Sequence, residues 1–282
     1  MPTVSGARLL DGFSLEMTGK DVDAVRQAAP RLAPGTRVNV TYLANEDLGM
    51  RVAAAQAVRS LGLVPVPHVS ARRLASRDQL GEFLASLRAV GASSDVFVVG
   101  GDPPAPEGPF SDALSVIRSG LLQEHGVAHV GISGYPEGHP EITDAALWSA
   151  LSQKAAALAD AGLDASIITQ FSFDPDAVVA WIAAVRSRGV NLPIRVGVPG
   201  PAGVKRLLGY ARRFGVGTST GMVRKYGLSL TNLAGTAGPD RFVRALATQL
   251  DPGAHGDVRL HLYTFGGLVA TAEWAQAFRS GS

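Results

Sequence analysis

Cysteine is absent from the 282-residue sequence, which excludes disulfide bonds, a thiolate nucleophile and a zinc site built on cysteine. Charged residues make up only 18% of the chain, and 26 basic against 24 acidic residues leave a formal net charge of +2. The basic residues are scattered rather than concentrated in one segment. Nothing in the charge pattern therefore favours binding to nucleic acid or to an anionic membrane surface.

Long apolar runs are also absent, and the first residues reach acidic side chains before any extended apolar stretch. We therefore expect a soluble, cytoplasmic protein without a sorting signal. No fixed-period repeat, low-complexity tract or linker divides the sequence, so residues 1–282 are expected to form one domain. The sequence leaves the oligomeric state open.

What the sequence does contain is a regular alternation of short β-branched runs with longer segments of helical period. The predicted strands are residues 9–17, 37–42, 64–68, 95–99, 128–132, 165–170, 194–198 and 258–263. Glycines suited to end the intervening helices follow at Gly62, Gly91, Gly126, Gly162, Gly189 and Gly215. Eight strands with eight helical crossovers predict an α/β fold, a single (β/α)8 TIM barrel.

Two regions of this pattern stand out. The stretch ASIITQFSFD at 165–174 places Gln170 at the carboxyl end of a strand and passes into Asp174 and Pro175, which suit a helix N-cap and first turn. Residues 215–238 are less regular, and we expect an extra short helix or a mobile segment over the barrel mouth there.

In a barrel of this kind, functional side chains gather at the carboxyl ends of the strands. The polar residues at or near these ends are Glu16, Thr41, Tyr42, His68, Asp102, Tyr135, His139 and Gln170. At any single position, a helix cap or turn former is the commoner explanation. Glu16 is the strongest candidate, because it shares a strand face with Ser14 while apolar residues occupy the other face. A carboxylic acid at the rim of an apolar barrel suits a proton donor.

Other signals for ligand binding are weaker. Asp102 stands between a Gly-Gly and a Pro-Pro pair and is either a turn residue or a positioned hydrogen-bond acceptor. Glu137, His139 and Glu141 alternate in a proline-rich loop that is not expected to converge on a metal. No Rossmann or P-loop fingerprint is present, and GVPGPAG at 197–203 is the better place for a phosphate.

Eight motifs, taken in order, resemble those of the methylenetetrahydrofolate reductases. They are FSLEMT at 13–18, VTYLAN at 40–45, VPHVSAR at 66–72, GGDPP at 100–104, SGYPEGHPE at 133–141, DAG with IITQFSFD at 160–174, RVGVPGP at 195–201 and LHLYTFGG at 260–267. One such motif is weak, but eight on successive predicted strand ends, spread over nearly the whole chain, are specific.

The resemblance implies a TIM-barrel enzyme that reduces 5,10-methylenetetrahydrofolate to 5-methyltetrahydrofolate with electrons from NADH or NADPH. In the family, the glutamate that matches Glu16 is the general acid. The residues that match Asp102 and Gln170 hold the pterin, whose amide and amine edge pairs with such side chains. Phe171 and Tyr263 are assigned to the same folate site.

The sequence departs from most of the family where FAD would bind. The arginine that usually precedes the GD of the fourth strand is Gly100, and the basic pair of the helix before DAG reads Ala-Ala-Ala-Leu at 155–158, with Lys154 a turn earlier. Each charge-assisted hydrogen bond lost from a diphosphate is worth about 1.5–3 kcal/mol, which makes FAD doubtful. The chain thus resembles the flavin-independent branch, in which the hydride passes directly to the folate. The residues then expected to line the dinucleotide pocket are Thr41, Tyr42, His68, Tyr135 and His139.

Three alternatives remain open at this point. One is an ordinary FAD-dependent reductase, in which Lys154 and loop backbone replace the missing cations. Another is a non-catalytic folate-binding subunit, which would have little use for the acid at Glu16. A methyltransferase would need a metal or corrinoid partner, for which the sequence offers no ligand cluster. The sequence does not distinguish NADH from NADPH.

Overall fold

The computed structural model describes residues 5–43, 46–216 and 236–281. Its strands are β1 (Ser14–Met17), β2 (Arg37–Val40), β3 (Val64–Ser70), β4 (Asp95–Val99), β5 (His129–Gly134), β6 (Asp164–Phe171), β7 (Ile194–Pro199), β8 (Ala202–Gly203), β9 (Thr236–Ala237) and β10 (Val258–Tyr263). Strands β1 to β7 and β10 are parallel and close a barrel in the order β1, β10, β7, β6, β5, β4, β3, β2. The predicted TIM barrel is confirmed.

Helices cover the outside of the barrel. Within the described residues they are α1 (Gly6–Leu9), α2 (Val22–Ala28), α3 (Leu48–Ser60), α4 (Arg77–Ala89), α5 (Ala113–Ile117), α6 (Leu121–Glu124), α7 (Asp144–Asp160), α8 (Pro175–Ser187), α9 (Val204–Arg213), α10 (Asp240–Gln249), α11 (Pro252–His255) and α12 (Leu268–Ser280). Two short 3-10 turns, Ala29–Arg31 and Ala71–Arg73, follow α2 and β3. None of these helices combines the length and apolar character that a membrane span needs.

Several helix ends were predicted correctly from the residues next to them. The six predicted cap glycines all have positive φ, from 66° to 78°. Asp174 caps α8, where its side chain accepts a hydrogen bond from the backbone N–H of Asp176, and Pro175 occupies the first turn.

Two predicted elements were wrong in their extent. The first strand does not begin at residue 9, because Ser5 caps α1 and residues 6–9 are helical. The sequence predicts one helix over residues 110–125, but the structure has α5 and α6 there, which Gly120 separates with a φ of 80°. Of the irregular region predicted at 215–238, residues 217–235 lie outside the described residues.

Among the described residues, two apolar clusters hold the barrel together. The larger one fills the layer between strands and helices. The smaller one, Val66, Phe97 and Ile168, forms a plug inside the barrel. A plug of three side chains leaves polar groups inside the barrel at both of its ends, and the groups at the carboxyl end form the candidate site.

Candidate functional site

The side chains that point into the barrel alternate along each strand with those that point toward the helices. In β1 and β10, the outward residues Leu15, Leu260 and Leu262 are fully buried in the outer core. The intervening residues Glu16 and His261 therefore point into the barrel. Both lie in the carboxyl-terminal half of their strands, where barrels place their chemistry.

Glu16, His261 and Ser14 form a connected row inside the barrel. Ser14 Oγ lies 2.8 Å from His261 Nδ1, and both side chains are buried. His261 Nε2 lies 3.4 Å from Glu16 Oε1, and the Glu16 side chain keeps 18% of its surface exposed. When the Ser14 hydroxyl donates to Nδ1, the ring carries its proton on Nε2, the nitrogen nearer the carboxylate, although Nε2 makes no hydrogen bond within the described residues.

His68 lies beside this row and is 9% exposed. Its Nε2 is 3.3 Å from the Asn39 side-chain nitrogen, and its ring is 4.7 Å from the Phe97 ring. Burial lowers the pKa of His68 to about 4, although the Glu16 carboxylate opposes this shift. The imidazole of His68 is therefore neutral at neutral pH.

Tyr263 occupies the carboxyl end of β10 on the same inner face. Its hydroxyl donates to the backbone carbonyl of Thr169 over 3.1 Å. Burial raises the pKa of Tyr263 well above its usual value, and the nearby Glu16 and Tyr135 raise it further. Tyr263 is thus a neutral hydrogen-bond donor that sits close to both of these residues.

Aromatic rings form a wall on this side of the mouth. The buried Phe171 ring makes edge contacts with Tyr263 at 5.5 Å and with Phe265 at 5.2 Å. Tyr210 stacks on Phe265 at 4.0 Å, and Phe214, which is 39% exposed, lies 5.9 Å from Phe171. Such a wall offers ring faces to a planar ligand.

The two residues expected to hold the pterin have partners within the protein. The Gln170 side-chain oxygen accepts a hydrogen bond from the Phe171 backbone N–H at 3.0 Å. Asp102 forms a two-pronged ion pair with Arg73, at 2.9 Å from Nε and 2.8 Å from one terminal nitrogen. The Asp102 side chain nevertheless remains 77% exposed, so its oxygens can also accept from a ligand.

Thr41 and Tyr42 follow the end of β2. The Thr41 hydroxyl donates to the Met17 carbonyl at 3.1 Å. The Arg51 guanidinium lies 4.2 Å from the centre of the Tyr42 ring and donates to the backbone carbonyl of His68. Burial lowers the pKa of Arg51 to about 10, so it stays charged at neutral pH. Arg51 thereby connects the Tyr42 and His68 positions.

Tyr135 and His139 lie in the loop after β5, where their rings meet edge to face at 5.5 Å. His139 Nδ1 accepts from the Glu141 backbone N–H at 3.1 Å, which holds the ring against its own loop. Within residues 5–43, 46–216 and 236–281, no group of three His, Asp or Glu side chains is arranged to hold a metal ion. The 197–203 segment was expected to offer backbone N–H groups to a phosphate. Of these, the Gly200 N–H donates to the Tyr263 carbonyl at 2.8 Å.

Sequence reasoning assigned no role to His261. The signal was available, because Arg259, His261 and Tyr263 alternate with aliphatic residues in β10 and so share its inner face. The pairing of Arg73 with Asp102 could not be found in this way, since it joins two different strand ends.

These observations define the class of the protein: a (β/α)8 barrel with an acid, two histidines and a wall of aromatic rings at its carboxyl end. The chain belongs to the methylenetetrahydrofolate reductase family, whose family model matches residues 16–265. The relationship suggested by the eight motifs is confirmed.

Individual relatives are more distant. Methylenetetrahydrofolate reductase (NADH) 1 of Arabidopsis thaliana is 28% identical over 206 residues, which cover 66% of this chain and 33% of the relative. Methylenetetrahydrofolate reductase 2 of Saccharomyces cerevisiae is 31% identical over 129 residues, 42% of this chain and 20% of the relative. The chain thus spans a third or less of the length of these relatives. A dihydropteroate synthase from Thermus thermophilus superposes with a TM-score of 0.49 at 15% identity, over 95% of this chain and 91% of the other.

Proposed function

We propose that this protein reduces 5,10-methylenetetrahydrofolate to 5-methyltetrahydrofolate, with the hydride passing directly from NADH or NADPH and Glu16 as the general acid. The observation that carries the proposal is the Glu16 carboxylate, partly exposed at the carboxyl end of the barrel and 3.4 Å from a fully buried histidine. Family membership supports the substrate class. Relatives from Arabidopsis, rice and maize have NADH in their names, which supports NADH as the donor.

Glu16 performs the proton transfer in this scheme. The five-membered ring of the substrate opens when its N10–methylene bond breaks, and N10 takes a proton from the Glu16 carboxyl group. The product of this step is an iminium between N5 and the methylene carbon. That carbon then accepts a hydride, and the electron pair of the carbon–nitrogen double bond returns to N5. The buried His261 ring, which Ser14 holds in place, lies beside the carboxyl group during this step.

The folate ring system is held by the residues at the ends of β4, β6 and β10. Gln170 and Asp102 pair with the amide and amine edge of the pterin. Arg73 orients Asp102 through its two-pronged contact. Phe171 and Tyr263 provide the aromatic surface on which the rings stack.

The nicotinamide supplies the hydride when bound, and Thr41, Tyr42, His68, Tyr135 and His139 line its pocket. The lowered pKa of His68 matters here, because the nicotinamide ring becomes positively charged once the hydride has left. A neutral imidazole adds no repulsion to this product, whereas a charged one would oppose its formation.

The residues present do not fit the diphosphate of FAD as most of the family would hold it. Gly100 offers no side chain, and a Cβ built there would meet nothing within 4 Å. At the positions of α7 that usually carry the basic pair, Ala156 is exposed while Ala157 and Leu158 are buried, and the cation Lys154 lies a turn earlier. The proposed hydride transfer therefore uses no flavin.

The test uses the purified protein and NADH deuterated at C4. We expect no flavin absorbance band, and single-turnover reduction that places one deuterium in the methyl group of 5-methyltetrahydrofolate. A flavin relay would instead show a stoichiometric flavin band and loss of deuterium to solvent, because the reduced flavin N5–H exchanges with water. Folate binding without turnover would identify a non-catalytic subunit and refute the proposal.

A further inference from the structure

A cavity of about 310 Å3 lies at the carboxyl end of β5, between the loop that follows it, the first half of α7 and Trp181 of α8. Lys154 lines this cavity and is only 6% exposed. Its Nζ has a single hydrogen-bond partner in the described part of the chain, Ser133 Oγ at 3.5 Å. Since an ammonium group carries three donors, the buried Lys154 has hydrogen-bonding capacity that the protein does not use.

The charge of Lys154 is equally uncompensated. Burial lowers its pKa to about 8, and Asp112 opposes this shift only in part. Within the described residues, no carboxylate lies at ion-pair distance from Nζ. Buried cations are normally paired, so the missing partner of Lys154 is expected to be an anion that enters the cavity.

The other walls indicate more than a bare anion. Glu137 and Asp144 line the cavity, and Glu137 already accepts a hydrogen bond from the Ser172 hydroxyl at 2.5 Å. Carboxylates bind the hydroxyl groups of a sugar, and the rings of Trp148 and Trp181 provide apolar surface. A cation, hydroxyl acceptors and aromatic walls in one cavity suit a nucleotide.

We propose that the Lys154 cavity binds a phosphate of the nicotinamide dinucleotide, with the attached nucleoside beside Glu137 and Asp144. This inference rests on the proposed function, because it extends the hydride-donor site. Tyr135 lies between the Lys154 cavity and the Glu16 site. It lines the cavity, and it also raises the pKa of Tyr263, which is close to Glu16. Lys154 thus anchors the end of the dinucleotide that does not react.

The first test measures the dissociation constant of ADP by titration calorimetry. Lys154→Met keeps the length of the side chain and removes the charge, and we expect ADP to bind about 10- to 100-fold more weakly to this variant. Lys205→Met removes the same charge from an exposed position on α9 and is expected to leave the constant unchanged. Adenosine, which lacks phosphate, should bind equally to all three proteins.

A second measurement separates a direct contact from a structural role. At pH 8.5 the Lys154 side chain is partly neutral in the free protein, because its pKa is lowered to about 8. A bound phosphate would raise this pKa, so Lys154 would take up a proton from the solvent. ADP binding to the wild-type protein should then take up protons, seen as a dependence of the binding enthalpy on the buffer. Lys154→Met should show no such uptake. Lys154→Arg, which keeps the charge, should retain measurable ADP binding.

The outcomes distinguish this site from the proposed function. Equal ADP affinity in the wild type and Lys154→Met, in a protein that reduces the folate, would overturn the site alone. Weakened ADP binding in Lys154→Met, in a protein without reductase activity, would retain the nucleotide site and overturn the function. Tight FAD binding that depends on Lys154 would overturn the assignment to the nicotinamide dinucleotide.

Discussion

The two ends of the barrel hold charged groups in opposite ways. At the amino end, the Asp95 carboxylate lies 3.1 Å from Arg37 and 3.5 Å from His129. Arg259 pairs nearby with Asp257 at 3.2 Å. At the carboxyl end, Glu16 has only the His261 ring at 3.4 Å as an ion-pair neighbour among the described residues.

We infer from this difference that Asp95 has a structural role and Glu16 a functional one. Arg37 donates a charge-assisted hydrogen bond to Asp95, and His129 lies beside the same carboxylate, so this group suits a fixed support at the amino end. Glu16 has no Lys or Arg at ion-pair distance among the described residues, and its carboxyl group is partly exposed, so a bound substrate can reach it as the proposed role of proton donor requires. The comparison predicts that substitution of Glu16 changes turnover, whereas substitution of Asp95 changes stability.

The largest effect is expected from Glu16→Gln. Removal of the proton donor should lower kcat by about 10²- to 10⁴-fold, the usual contribution of a general acid. The affinity for 5-methyltetrahydrofolate should change little, because the amide keeps the size and polarity of the side chain. Glu82→Gln, on the exposed surface of α4, is the matched control and should retain wild-type kcat. An unchanged kcat in Glu16→Gln would contradict the role of this residue.

Acid should destabilise the carboxyl end through His68. Its folded pKa of about 4 lies below the ordinary 6.5, so the folded protein binds fewer protons than the unfolded chain between these values. Stability from this group is complete above pH 6.5 and falls as the pH drops toward 4, by at most about 1.4 kcal/mol per pH unit. Urea unfolding of His68→Asn should show a shallower loss of stability over this window than the wild type, and an equal loss would contradict the assignment to His68.

Asp95→Asn tests the amino end. The amide cannot compensate the charge of Arg37, and the loss of a charge-assisted hydrogen bond is expected to lower the free energy of unfolding by about 1.5–3 kcal/mol. The folded variant should keep its kcat. Asp23→Asn breaks the exposed pair with Arg26 and should cost less than about 1 kcal/mol. A large fall in kcat of Asp95→Asn, without a change in its stability, would show that Asp95 has a role in turnover and not in stability.

The smallest effect is expected from Ser14→Ala. The hydroxyl contacts His261 at 2.8 Å, and a net hydrogen bond is worth about 1 kcal/mol, which corresponds to roughly a fivefold fall in kcat. Ser166→Ala removes another buried hydroxyl, from strand β6 of the barrel, and serves as the control. Equal kcat values in the two variants would show that the Ser14 contact has no part in the reaction.

Much of the fold could be predicted from local sequence signals. Strand alternation, the cap glycines and the Asp174–Pro175 start of α8 depend on neighbouring residues, and the structure confirms them. The helix at residues 6–9 could not be found, because its apolar residues also suit a strand.

The site was predictable only in part. Glu16 and Tyr263 could be placed at strand ends, since each strand fixes its own alternation. The contact between Ser14 and His261 joins the first and last barrel strands, and it exists only once the barrel closes. The burial of Lys154 likewise depends on how α7 packs on β5. The prediction that Lys154 lies in a helix was correct.

The central claim is that the proton donor of the reaction is the acid at the carboxyl end of β1. A crystal structure with 5-methyltetrahydrofolate bound tests it most directly. Our account predicts that a pterin or N10 nitrogen lies within about 2.6–3.2 Å of a Glu16 carboxylate oxygen, or reaches it through one water molecule. A folate bound at the carboxyl end with another acid next to N10, or a folate bound at the amino end, would contradict it.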